Sequence, residues 1–459
     1  MAELKRQLGL LDSTMINVGT IIASAIFIVP STIALQLHAS APTILVWVVG
    51  GAVSLLGALC VAELGAAMPR AGGLYVYLSE AYGPVWGYLY GWTSGVVINP
   101  ASIAAIAVGF ATYVGFFTPL GAAGIKAVAI ASIVALTVLN CLGVKPGTVT
   151  QNSLTLIKMG VLAALIVIGF VLPGGSVANF RPLWPEGSFG SLIAPFGVAM
   201  VAALWAYDGW IEITYVGGEV KDPERNLPRS IVLSTLIGIA LYCLVTASFT
   251  YVLSPAKMAA SSLVASDAAQ VTLGRAGAGL VAVAIMVATL GANNGIVLTA
   301  ARVPYAMARD GVLPRWLAGV HPRFLTPVPS LVVQAVIAIA LAFTGTYNQL
   351  FTYVIFAEFV SYAAGCGAVI RLRHGAPSLA RPYRTWGYPV TPIVFIAFAA
   401  WLVGNTIAEQ PRDAGIGTVL ILAGLPFYYW WRRVAIRPPI PASRAAPAPV
   451  PPPASYRRT

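Results

Sequence analysis

Residues 201–229 read VAALWAYDGWIEITYVGGEVKDPERNLPR, and they place an acidic residue, Asp208, in the middle of an apolar run beside Gly209. A carboxylate at membrane depth costs a few kcal/mol even on lenient insertion scales, so it faces a bundle interior or a watery cavity. Asp-Gly is also a poor helix-forming pair. An interrupted membrane helix frees backbone groups that survive only where they are buried in protein or line a cavity. The stretch therefore predicts a broken membrane helix with a functional acid at the break.

That reading requires the rest of the chain to be membrane protein, and the composition agrees. Of 459 residues, 58% are hydrophobic and 9% are charged, against about 25% charged in soluble domains; mean hydropathy is +0.82. Apolar runs between polar breaks predict twelve helical spans near 11–37, 42–68, 84–117, 125–144, 153–172, 190–217, 229–253, 277–303, 328–344, 348–371, 388–408 and 414–432. The expected organisation is a short N-terminus (1–10), a first half (11–172), a second half (189–371), two peripheral spans (388–432) and a tail (433–459). The tail has 8 Pro in the 23 residues from Arg437 to Thr459 and is expected to be disordered.

The net charge of +12 first suggests an anionic partner such as nucleic acid. With the N-terminus inside, however, 22 of the 27 Lys and Arg fall on the cytoplasmic side. The excess is therefore topogenic, as the positive-inside rule requires, and no base-reading module is present to support nucleic-acid binding. The expected location is the cell (inner) membrane, with both termini cytoplasmic. No cleavable leader is expected, since the charged start is short and the first apolar run is of full span length.

Cys60, Cys141, Cys243 and Cys366 all lie in predicted spans without CxxC spacing, so disulfide and metal readings fail. His38, His321 and His374 form no cluster with carboxylates. Enzyme chemistry has no nucleophile–base or metal constellation here, and no cofactor is implied. A polytopic receptor or intramembrane enzyme is the rival class. Glu63 and Arg70 bracket a helix end, and Glu219, Lys221, Asp222, Glu224 and Arg225 fall in a loop, where solvated or gate-forming ion pairs are expected.

The first span holds a second interruption, Gly19-Thr-Ile-Ile-Ala-Ser-Ala-Ile-Phe27, with Pro30 one turn on. Its small residues also fit close helix packing. Five spans separate the start of span 1 from that of span 6, so the two enter the membrane from opposite sides. Paired interruptions at corresponding positions of two inverted halves point to a transporter's central site.

GTIIASAIFIVP in span 1, AELGAAMPRAGGLYVYLSEAYG after span 2, ALWAYDGWIEITYVGGEVKDPERNLPRSI across span 6, and the run from Asn294 to Pro327 resemble the L-type amino-acid transporters. That family belongs to the amino acid–polyamine–organocation superfamily, and the likeness is to its bacterial serine/threonine-exchanger-like branch. The resemblance covers about residues 8–430. It implies an all-α LeuT-type fold, a five-plus-five inverted repeat with two peripheral helices. It also implies alternating-access transport of an amino acid whose α-carboxylate meets backbone N–H groups around Ala23, Ser24 and Ala25, where a half-helix N-terminus favours an anion. The α-ammonium is expected at the carbonyls of Ile21, Trp205 and Asp208. Relatives commonly carry Gly-Ser-Gly where this chain has Ala23-Ser24-Ala25, and alanine reaches only ordinary backbone regions. Trp205 stands where the family has an aromatic gate, usually Phe, and its size favours small substrates.

Lys158 lies about six residues into span 5, near enough to an interface to snorkel. By resemblance it occupies the position of a sodium ion bound between spans 1 and 8 in coupled relatives of this fold, which implies sodium independence. Glu358 lies about 11 residues from either end of span 10, too deep for a short carboxylate to reach water. It is read as a packing residue, as a partner of Lys158 or another cation, as a binder of a cationic substrate side chain, or as a proton carrier. The leading expectation is a sodium-independent exchanger of small neutral L-amino acids. Proton symport, and transport of cationic amino acids or polyamines through Glu358 and Asp208, are the alternatives. Animal members of the family pair with a partner through a cysteine on the loop after span 3; this chain has none between Phe117 and Lys126, so no disulfide-linked subunit is expected.

Overall fold

The computed structural model describes residues 6–23, 25–186, 188–344 and 347–434, and within them the regular structure is helical. The helices are α1 (Leu10–Ile21), α2 (Ala25–Leu37), α3 (Ser40–Ala67), α4 (Leu74–Tyr82), α5 (Pro84–Thr93), α6 (Asn99–Val114), α7 (Ala122–Cys141), α8 (Val144–Val171), α9 (Phe189–Tyr207) and α10 (Glu212–Tyr215). They continue as α11 (Pro223–Val252), α12 (Pro255–Ala260), α13 (Val264–Ala300), α14 (Arg302–Arg309), α15 (Val328–Thr344), α16 (Tyr347–Gly375), α17 (Val390–Glu409), α18 (Pro411–Leu422) and α19 (Gly424–Val434). Eleven stretches among the described residues are long and apolar enough to cross a membrane, and Val328–Phe343 is a shorter apolar helix that completes twelve.

Two spans are broken in the middle, as the sequence predicts: α1 and α2 together form the first, α9 and α10 the sixth. Five spans separate their starts, so the two broken spans run in opposite directions, and their breaks face each other where Thr20 Oγ1 lies 3.1 Å from Gly209 O. Most boundaries fall within a few residues of expectation. In the eighth span, Gly274 with φ 72° and ψ −170° breaks the helical run that starts at Val264, and the stretch after it, up to Ala300, begins close to the expected start near 277. The third span is interrupted too: a wide π-turn over Ser94–Ile98 separates α5 from α6, with the Asn99 amide hydrogen-bonded to Ser94 Oγ at 2.7 Å.

Helix starts are set locally. Asp12, in the first turn of α1, accepts the backbone N–H of Gly9 at 3.0 Å, a negative charge at the favourable end of the helix dipole. Its other oxygen accepts from Asn152 Nδ2 of α8 at 2.8 Å, so the same carboxylate that starts span 1 ties it to span 5. Ahead of α1 the chain runs extended and pairs with the loop after span 6. Gln7 and Leu8 donate to Glu219 O at 2.8 and 3.0 Å, and Lys221 N donates back to Leu8 O at 2.8 Å.

Candidate functional site

The break in span 6 begins where α9 ends. Asp208 leaves the helix with φ −61° and ψ 151°, and Gly209 follows at φ 113°. A side chain at Gly209 would fail twice, since the dihedral is left-handed and an added Cβ would lie 2.7 Å from Thr20 Oγ1 and 2.8 Å from Ile21 N. Glycine is thus what allows span 6 to press its unwound backbone against span 1.

The freed peptide groups are met by side chains from neighbouring spans. Asn17 of α1 donates its amide to Trp210 O at 2.9 Å and accepts from Ile213 N at 2.9 Å, so one buried residue serves both sides of the break. Thr20 lies 3.1 Å from Gly209 O. Tyr242 of α11 places its hydroxyl 2.6 Å from Ile21 O and 3.0 Å from Ala206 O, spanning the two breaks. In a medium without water these contacts satisfy groups that would otherwise each cost several kcal/mol.

At the break in span 1, Ala23 N donates to Ile21 O at 2.8 Å, and Ala25 opens α2. Ile21, Ala23, Ala25 and Trp205 are all buried; Ser24 lies outside the described residues. The Ile21 carbonyl and Ala23 amide expected at the substrate's charged ends are thus engaged with each other, and the carbonyl with Tyr242 as well. Trp205 sits in the last turn of α9, three residues before Asp208.

Lys158 is fully buried, and its ammonium donates to Gly19 O near the C-terminal end of α1. This excludes the snorkelling alternative. Glu358 Oε2 has no hydrogen-bond partner among the described residues, Lys158 included. Gly19 lets span 5 pack this closely on span 1: a Cβ there would run into Gln151 Nε2 and sit 2.6 Å from Thr155 Oγ1. A cation at the C-terminal end of α1 also meets the negative end of its dipole. Around it, Gln151 accepts from Asn294 at 3.1 Å and Asn140 donates to Asn294 at 2.8 Å, joining spans 5, 8 and 4 in one buried polar chain.

A cluster of acids fills the opposite side. Asp208 accepts from Tyr362 Oη at 2.9 Å, and its carboxyl interacts directly with that of Glu358, with Glu212 close behind. Glu212 accepts from Thr299 Oγ1. Tyr90 and Tyr215 share a 2.5 Å hydroxyl contact beside the same group. Glu358 is 3% exposed, and its Oε2 has no hydrogen-bond partner among the described residues. Like charges gathered in a buried site repel one another, so the cluster is suited to receive a positive charge. No His, Cys, Asp and Glu grouping suited to a metal occurs among the described residues.

Toward the end of the bundle that carries residue 6, two pairings correct the sequence reading. Glu219, expected in a loop of solvated or gate-forming ion pairs, is 1% exposed and holds Arg302 Nε at 2.8 Å, which leaves out the solvated reading; Arg302, also buried, donates to Leu298 O besides. Glu63 does not pair with Arg70. It is buried and holds Arg373 Nη2 at 2.6 Å, with Arg381 Nε at 3.6 Å and Thr385 N at 2.7 Å, while Arg70 pairs with Glu80 at 2.6 Å on the surface. Distance along the chain hides both partners: 83 residues separate Arg302 from Glu219, and 310 separate Arg373 from Glu63. Asn17 was missed for another reason, since a lone amide in an apolar helix carries no pattern of its own.

Comparison with known proteins gives the same picture. The amino acid permease family model matches residues 8–430. The chain is similar to the b(0,+)-type amino acid transporter 1 of Mus musculus, at 34% identity over 93% of this chain and 88% of that protein. It is similar to the serine/threonine exchanger SteT of Bacillus subtilis, at 32% identity over 94% of this chain and 98% of that one. It also resembles the Asc-type amino acid transporter 1 of Mus musculus, at 31% identity over 94% and 82%. With twelve apolar helices among the described residues, two broken spans in contact and a family match over residues 8–430, the chain belongs to the amino acid permease family and is a multi-pass membrane amino-acid transporter.

Proposed function

We propose that the protein is a sodium-independent exchanger of amino acids, with small neutral L-amino acids as its main substrates. The observation that carries the reading is the buried Lys158 ammonium on Gly19 O, a built-in cation beside the break of span 1. A tethered charge there supplies what a bound sodium ion would bring. The bulk of Trp205 beside the break supports a small substrate, and the similarity to a serine/threonine exchanger supports exchange. Substrate would enter by opening the contacts that now close the breaks on each other, with backbone groups around Ala23, Ser24 and Ala25 taking its carboxylate and the carbonyls of Ile21, Trp205 and Asp208 taking its ammonium. The Lys and Arg bias supports an inner-membrane protein with both termini inside, and the lack of a cysteine between Phe117 and Lys126 supports operation without a disulfide-linked subunit.

A second reading rests on the Asp208–Glu358 contact. In this reading the acid pair takes a substrate side-chain cation or a proton, which makes the protein a carrier of cationic amino acids or a proton-coupled symporter. Uptake of labelled serine, alanine and lysine into proteoliposomes separates the readings. Sodium-free uptake that needs internal amino acid supports the exchanger. Accumulation in empty vesicles under an inward proton gradient supports the symporter, and lysine outcompeting serine supports the cationic carrier. A requirement for sodium would overturn the first proposal.

A further inference from the structure

Four arginines lie close together where span 10 gives way to span 11: Arg371, Arg373, Arg381 and Arg384. Between Glu358 and Glu409 the sequence has no acidic residue at all. Across space, Glu63 is the one carboxylate paired with them among the described residues. Arg371 donates to Ala81 O and lies over the Tyr82 ring. Three of the four, Arg373, Arg381 and Arg384, line an open groove with Pro377.

The groove is built, not incidental. Arg381 is held by the carbonyls of Leu372, Ala376 and Leu379 at 2.7–2.9 Å. Arg373 is fixed by Glu63 and lies 3.9 Å over the Tyr388 ring. One buried carboxylate thus orients two guanidinium groups and leaves the groove with a surplus of positive charge, while Arg384 projects at its exposed rim. With Arg373 engaged by Glu63 and Arg381 by backbone carbonyls, the exposed Arg384 guanidinium is left to match phosphate oxygens bidentately, the other two adding their charge.

What lies beside the groove identifies the source of the phosphate. Trp386 is 66% exposed, and α17 presents Val390, Ile393 and Val394, then Ala397, Ala400 and Ile407, on one outward stripe. In a membrane protein that stripe is covered by acyl chains, and an exposed Trp marks the interface. Basic pockets at the ends of membrane helices bind anionic lipid head groups. We propose that this groove is a specific site for the phosphate head group of an anionic phospholipid, whose acyl chains lie along α17. The lipid would brace the junction of spans 2, 10 and 11, away from the substrate.

The test uses the purified full-length protein in detergent, with thermal unfolding followed as phosphatidylglycerol, phosphatidylcholine or inorganic phosphate is added. Phosphatidylglycerol is expected to raise the transition temperature of the wild type and of Lys257→Gln, an exposed change at the other end of the bundle. Arg384→Gln should need about fivefold more lipid for the same rise, and Arg384→Lys should recover part of it. Native mass spectrometry should show phosphatidylglycerol retained over phosphatidylcholine on the wild type, which keeps the proposal testable if Arg384→Gln folds poorly. Equal stabilisation of wild type and Arg384→Gln overturns the proposal. So does equal stabilisation by phosphatidylcholine, and so does inorganic phosphate alone giving the full effect.

Discussion

Lys158 of the fifth span donates its buried ammonium to the carbonyl of Gly19, two residues before α1 ends at Ile21. The charge is therefore held by a backbone group of α1 close to the break in span 1, which ties span 5 to that break.

Replacing Lys158 with Met leaves the Gly19 carbonyl buried without a donor, a loss of about 1–3 kcal/mol. Exchange activity is expected to fall at least tenfold, with added sodium having no effect on the wild type. Counterflow assays normalised to the amount of reconstituted protein check this; unchanged exchange would show that the ammonium is structural only.

Glu358→Gln keeps shape and removes the charge from the acid pair with Asp208. If the pair receives a cationic side chain, competition by L-lysine against labelled serine should weaken about tenfold, the scale of one charge-assisted hydrogen bond, while serine exchange changes little. Equal loss for serine and lysine would make Glu358 a packing residue.

Gly209→Ala forces a side chain onto a φ of 113° and into Thr20 and Ile21. A cost of at least about 2 kcal/mol is expected, with a lowered unfolding temperature and transport close to background. An active, stable variant would mean that the break relaxes more easily than its close contacts imply.

Arg302 and Glu219 form a buried pair between the end of span 8 and the loop after span 6. Removing one charge, as in Arg302→Met, is expected to cost about 3–5 kcal/mol, since the other stays buried alone. The double change Arg302→Met with Glu219→Leu should recover much of that stability. Thermal unfolding of the three variants measures the coupling directly.

Much of the architecture was readable because membrane burial writes strong patterns. Apolar runs of span length gave the twelve helices, and Asp208-Gly209 gave one break because both residues oppose an uninterrupted helix. Lys158 was legible as a buried cation, but its acceptor was not, since a carbonyl has no letter of its own. Arg302 and Asn17 show the remaining limit. Their partners lie 83 residues away or further, and only folding brings them together. The short helical run ahead of Gly274 is not legible because 264–276 mixes polar and small residues, and apolar run length alone reads that mixture as loop.

The extended pairing of Gln7 and Leu8 with Glu219 and Lys221 is a latch on a hinged door. Three backbone hydrogen bonds, each worth about 1 kcal/mol net, hold the start of span 1 to the loop after span 6, so any opening at this end would have to break them. Their strength depends on the peptide backbone and not on side chains, so sequence drift around the binding pocket can change what the carrier accepts without altering how fast this door opens. Conversely, a proline at position 8 or 221 would remove a donor and change turnover while leaving selectivity intact.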